Sequence, residues 1–191
     1  MNISIPPFIV AGESNESLET VAQSLPVQTT TSNADAVAGA DTVVLAVPFG
    51  AVQGIAADLA GDLAGKIVID VTNPLNDDLS GLSTNGQSAA ELVQQAAPQA
   101  RVVKAFNTVL AANQADPSVD GTQLDGFVAG DDEEAKAVVV EVLGKVGYRP
   151  IDVGPLAAAR YLEGMAFLNI ALNARNGWGW QTGWKLVGPA V

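Results

Sequence analysis

The 191-residue sequence contains no histidine and no cysteine, and it is poor in basic residues, with 9 Lys+Arg against 21 Asp+Glu. Without cysteine there is no disulfide and no thiolate nucleophile. Without either residue there is no Cys/His zinc site and no Ser-His-Asp triad, and no metal is expected. A formal net charge of −12 argues against nucleic acid, because phosphate binding needs clustered Lys or Arg, and against anionic membrane surfaces for the same reason. Charged residues make up only 16% and aromatics 5%. The mean hydropathy of +0.25 is too apolar for a disordered chain. No uncharged apolar run approaches the roughly 18 residues that span a bilayer; the stretch from Met165 to Ala174 is too short and is framed by Arg160 and Arg175. The start, Met1 to Gly12, lacks a basic flank and carries Pro6-Pro7, so it does not read as a targeting segment and a cytoplasmic protein is expected.

What is present is a series of short, continuous, β-branched runs. They are Phe8-Ile9-Val10-Ala11, Thr42 to Val47, Lys66 to Val71 and Arg101 to Phe106, with further candidates at Gly126 to Gly130 and Tyr148 to Val153. Continuous rather than alternating apolar runs belong to strands buried on both faces. Between them lie amphipathic stretches. Ser17 to Leu25 aligns Leu18, Val21, Ala22 and Leu25, while Gln87 to Ala97 aligns Ala90, Leu92, Val93 and Ala96. Asp131 to Val146 opens with four acids and closes with Lys145 before Gly147, as the helix dipole favours. Strands alternating with helices predict an α/β fold, a Rossmann-like parallel sheet with helices on both faces.

The last stretch reads differently. Leu156 to Arg175 forms one long helix with Tyr161, Met165, Leu168 and Leu172 on one stripe and Leu162, Phe167 and Ile170 beside it. Such a helix is expected to be buried against the sheet domain or a second subunit. Trp178, Trp180 and Trp184 then crowd the tail, and packing or a dimer seam accounts for them better than substrate stacking. The domain reading is residues 1–153 as the sheet domain and 154–191 as a C-terminal helix and Trp-rich tail.

Ligands of open α/β sheets bind at the carboxyl ends of the strands. Three of those ends are distinctive: Val47-Pro48-Phe49, then Thr72-Asn73-Pro74, then Ala105-Phe106-Asn107. Each offers an apolar wall with one or two neutral hydrogen-bonding groups, which suits a flat heterocycle. X-Pro bends and Asn turns also end strands with no further role, and taken singly each is read that way; three on successive strands bring a site level with that reading.

These segments carry a resemblance. Ala40 to Pro48, Gly65 to Leu75, Val102 to Thr108 and Gly154-Pro155-Leu156-Ala157-Ala158-Ala159-Arg160-Tyr161-Leu162-Glu163 resemble, in order and spacing, the NADP-dependent oxidoreductases of the coenzyme F420 (deazaflavin) reductase type. The resemblance runs from about Phe8 to Val187. It implies hydride transfer between the nicotinamide of NADP and a deazaflavin or flavin partner, in a homodimer whose C-terminal helix helps form the second-substrate site. Carried over by position, Val47, Pro48 and Phe49 would line the dinucleotide groove. Thr72, Asn73 and Pro74 would lie near the nicotinamide, and Ala105, Phe106 and Asn107 would close the cleft. No catalytic acid or base is implied, because hydride passes directly between stacked rings.

The sequence departs from the family pattern at its start. The resemblance begins at the family's second strand, so the first strand, its G-x-G-x-x-G loop and the following helix are expected to be missing, in a chain whose start is either native or truncated. Met1 to Ile5 could be a relic of that strand, but Pro6-Pro7 is too short a link between parallel neighbours. An alternative alignment makes Gly12 to Ser17 a degenerate phosphate loop, with Glu13 and Glu16 repelling a pyrophosphate. Glu13 and Ser14 fall where the family holds the 2′-phosphate of NADP with a Ser-Arg pair. Here no Lys or Arg precedes Lys66, while seven acids do. A carboxylate after the second strand suits the ribose of NAD instead. The expected cofactor is therefore NADP or NAD, with F420 or a flavin as second substrate. The competing reading is a degenerate, non-catalytic member that serves as an interaction or oligomerising protein.

Overall fold

A computed structural model describes residues 9–12 and 14–188. The readings placed on Met1 to Ile5, on Phe8 and on Glu13 lie outside the described residues. The chain alternates as expected. β1 (Ile9–Ala11), α1 (Asn15–Ser24), β2 (Gln28–Thr30), α2 (Asn33–Ala38), β3 (Thr42–Leu45), α3 (Phe49–Asp58), β4 (Ile67–Asp70), α4 (Ala89–Ala96) and β5 (Arg101–Lys104) follow one another. A small hairpin comes next, β6 (Ser118–Val119) and β7 (Thr122–Gln123), and then β8 (Asp125–Gly130), α5 (Glu133–Val146), β9 (Arg149–Asp152) and α6 (Ala159–Asn176).

The main sheet has the order β3-β4-β5-β8-β9, and β1 and β2 pair in parallel as a separate two-stranded sheet. β3, β4 and β5 are parallel, so their carboxyl ends meet on one edge. β8 runs antiparallel to β5. The reason lies in the connection: residues 105–124 hold a 3-10 turn and the hairpin but no crossover helix, so the chain re-enters the sheet from the end it left. The sheet is therefore mostly, not wholly, parallel. Among the described residues β3 has no partner strand on its outer edge, and Val44 on it is exposed.

Two apolar layers sandwich the sheet. One joins Leu45, Val68 and Val102 to Val52, Val93 and Leu162; the other joins Ile69, Val103 and Val128 to Val139 and Leu143. Helix starts follow their caps. Ser88 and Glu91 close a full capping box on α4, and Asp132 caps α5, which ends at Gly147 in the left-handed conformation, φ 112°.

The last helix differs from expectation in two ways. Its first turn, Leu156–Ala158, is 3-10, and the α-helix proper begins at Ala159. The face it buries carries Leu162, Ala166, Asn169 and Asn173, while Tyr161 and Leu168 are exposed. The polar pair wins the inner face because it anchors the tail. Thr182 Oγ1 donates to Asn169 Oδ1 and accepts from Asn173 Nδ2, both at 2.6 Å. A Cβ on Gly183 would stand 2.5 Å from Leu124, so only glycine lets the tail lie this close. Trp184 packs into the core, whereas Trp178 and Trp180 are exposed. No helix among the described residues is long and apolar enough to cross a membrane.

Candidate functional site

The three strand ends converge because β3, β4 and β5 are adjacent and in register, Leu45 opposite Asp70 and Asp70 opposite Lys104. After β3, Pro48 is the N-cap of α3, and no side chain caps the helix. Its first amides remain available at the carboxyl edge of the sheet. Val47 and Phe49 are half-buried against the core, and Pro48 is exposed.

The end of β4 is tied to that of β5. Asn73 Nδ2 donates to the Asn107 carbonyl at 3.1 Å, and Asn107 Nδ2 donates to Asn73 Oδ1 at 3.0 Å. Asn107 Oδ1 and Thr108 Oγ1 are buried with no hydrogen-bond partner. Phe106 adopts φ 64°, a conformation unusual for a bulky side chain, and its ring meets Tyr148 edge-on at 6.1 Å. Burial pushes the Tyr148 hydroxyl up to about 12, so it stays protonated, its single proton shared between the Asn113 carbonyl and Gln114 Oε1.

Thr72 and Ala105 are buried. The Thr72 hydroxyl is engaged inward, donating to Asp70 Oδ1 at 2.8 Å, and the Thr72 N–H donates to the same oxygen at 3.0 Å. Pro74 is buried as well. Ser14 belongs elsewhere: it caps α1, beside the two-stranded sheet, and no hydrogen bond among the described residues links it to the strand ends.

Beneath Asn73 sits a charged cluster that sequence reasoning missed. Lys104, with no exposed surface, donates to Asp70 Oδ2 at 2.8 Å, to the Thr72 carbonyl at 2.5 Å and to Glu163 Oε1 at 2.9 Å. Glu163 Oε1 also accepts from the Ala89 N–H at the start of α4, and its Oε2 has no partner. Burial raises the Glu163 carboxyl above its usual range, against the pull of Lys104. The sequence did hold a signal. Asp70 and Lys104 stand inside continuous apolar strands, where a charge is retained only if paired.

Several other basic side chains are committed away from the site. Arg149 and Lys185 both bind Asp125, Arg160 binds Glu91, and Arg101 lies against Asp132. A shallow depression lined by Gln94, Arg101, Asp131 and Asp132 sits at the amino end of β5, opposite the strand-end site.

Comparison with known proteins is consistent with this geometry. The family described as NADP oxidoreductase, coenzyme F420-dependent matches residues 6–74. An F420-dependent NADP reductase of Methanocaldococcus jannaschii is 34% identical over 151 residues, which cover 75% of this chain and 66% of that protein. The chain thus spans about two thirds of the length of this curated relative. A protein of Arthrobacter sp. FB24, solved as a candidate F420-dependent NADP reductase, superposes with a TM-score of 0.81 at 30% identity, covering 94% of this chain and 88% of that one. Metalloreductase STEAP3 of Rattus norvegicus is 42% identical over 106 residues, 55% of this chain but only 21% of that protein.

Proposed function

The chain belongs to the family of coenzyme F420-dependent NADP oxidoreductases, and from that premise we propose that it transfers a hydride between the nicotinamide of NADP and a deazaflavin of the F420 type. The observation that carries this reading is the pair of buried, partnerless atoms at the end of β5, Asn107 Oδ1 and Thr108 Oγ1. Each costs about 1–3 kcal/mol if left open. A nicotinamide carboxamide, which both donates and accepts, has the complementary chemistry for both. When bound, NADP supplies the hydride chemistry; the chain supplies placement.

In this reading Asn107 and Thr108 orient the carboxamide, and Asn73 holds Asn107 still. Val47 and Phe49 form the apolar wall, Pro48 leaves the start of α3 free to receive a phosphate, and Pro74 and Phe106 exclude water. Thr72 and Ala105 contribute backbone and support. Ser14, with Glu13, is assigned to the adenosine end. Residues 154–191 form one side of the second-substrate site, and the exposed face of α6, with Tyr161 and Leu168, forms the seam of a cytoplasmic homodimer. The partner is a small redox substrate.

The test is turnover of NADPH with F420, followed by the loss of deazaflavin absorbance, beside Asn107→Ala. Turnover by the wild type and a loss of about tenfold or more in the variant are expected. Wild-type protein that turns over neither F420 nor a flavin would leave the interaction-protein reading in its place.

A further inference from the structure

Among the described residues Lys104 is the one fully buried cation beside the site, and all three of its ammonium hydrogens are accounted for. They go to Asp70 Oδ2, the Thr72 carbonyl and Glu163 Oε1. With no spare donor and no solvent access, it neither touches a substrate nor moves a proton. Its contribution to folding is not a sufficient reason for it, since buried ion clusters are often replaceable by apolar side chains without loss of stability. What an apolar side chain could not do is hold a carbonyl. Thr72 lies two residues beyond Asp70, the last paired residue of β4, and its N–H and hydroxyl are fixed by Asp70 Oδ1 while its carbonyl is fixed by Lys104. The next residue is Asn73. Glu163 brings α6 and the first amide of α4 to the same ammonium.

We propose that Lys104 is a positioning residue: through the Thr72 carbonyl and Glu163 it locks the Asn73–Asn107 pair to α6 and sets the geometry of the hydride-transfer site. The inference rests on the oxidoreductase reading above. Removing the lock loosens the placement of the nicotinamide while leaving the groove that binds the dinucleotide intact, so kcat falls and affinity does not.

The test uses Lys104→Met and, because that variant strands two buried carboxylates, Lys104→Met/Glu163→Gln, in which one of the two is replaced by a neutral amide. In the double variant kcat with NADPH and F420 is expected to fall about tenfold or more, with the NADPH Kd within about threefold of wild type. The side-chain amide protons of Asn73 and Asn107, followed by NMR, should exchange about tenfold faster or more, while core amides of β4 keep their protection. A kcat within about twofold of wild type, or unchanged side-chain exchange, would overturn the proposal. Should the wild type not turn over NADPH, the functional reading fails, and the exchange experiment alone decides whether Lys104 fixes the asparagine pair.

Discussion

Asn73 and Asn107 hold each other across the carboxyl ends of neighbouring strands, each side chain donating once to the other residue, at 3.1 and 3.0 Å. The exchange leaves one atom over, the buried Asn107 Oδ1. A side chain fixed at one end and unsatisfied at the other is a preorganised acceptor, its direction set before the substrate arrives.

Asn73→Ala should therefore lower kcat/KM by about tenfold or more. Asn73 is only half-buried, so the melting temperature should fall by no more than about 2–6 °C, given about 2–4 °C per kcal/mol for a chain of this size. Steady-state kinetics and thermal melts on the same sample check it; an unchanged rate would remove Asn73 from the site.

Glu163 predicts a pH dependence. Its carboxyl is raised in the folded state, chiefly by burial, so the folded protein binds this proton more tightly than the unfolded chain does. The stability it contributes is full below the unfolded value of about 4.3 and is lost as the pH rises through the raised folded value. Glu163→Gln abolishes that loss. Between pH 4 and 8 the melting temperature of the variant should gain on that of the wild type; a gap that stays constant would contradict the shift.

The tail offers a stability test. Thr182→Ala breaks two 2.6 Å hydrogen bonds to the buried Asn169 and Asn173. The cost should be about 1–3 kcal/mol, since two buried amides lose a partner. Limited proteolysis should then cut near residues 178–186 in the variant before it cuts the wild type. Equal digestion rates would mean that the tail is held by Trp184 and Asp125 instead.

Much of this arrangement was legible in the sequence. Runs such as Ile67 to Val71 are apolar but for Asp70 because both faces of the sheet are covered, and that continuity identified the strands. The acids opening at Asp131 and the glycine at 147 set the ends of α5 within a residue or two. The direction of β8 was not legible, because it depends on the connection from β5 lacking a helix rather than on any residue of the strand. The buried face of α6 was misjudged for a related reason. Hydrophobicity favours Tyr161, Met165, Leu168 and Leu172, yet Asn169 and Asn173 are drawn inward by a partner, Thr182, that only the folded tail delivers. Asn73 and Asn107 were found as strand-end residues; that they pair with each other was not readable, since 34 positions separate them.

The exposed stripe of α6 bears on assembly. Leu168→Glu changes a residue that is 47% exposed, so the fold should tolerate it, while a homodimer seam along Tyr161 and Leu168 should not. Sedimentation velocity should show dimer for the wild type and monomer for the variant. A dimer that survives would place the seam off this helix.

The most direct test of the account is a calorimetric titration of the protein with NADPH and, separately, NADH. Binding of NADPH in the micromolar range, weakened about tenfold or more by Asn107→Ala, is the predicted result. No binding of either dinucleotide up to about millimolar would contradict it, and the fold would then stand without the enzyme.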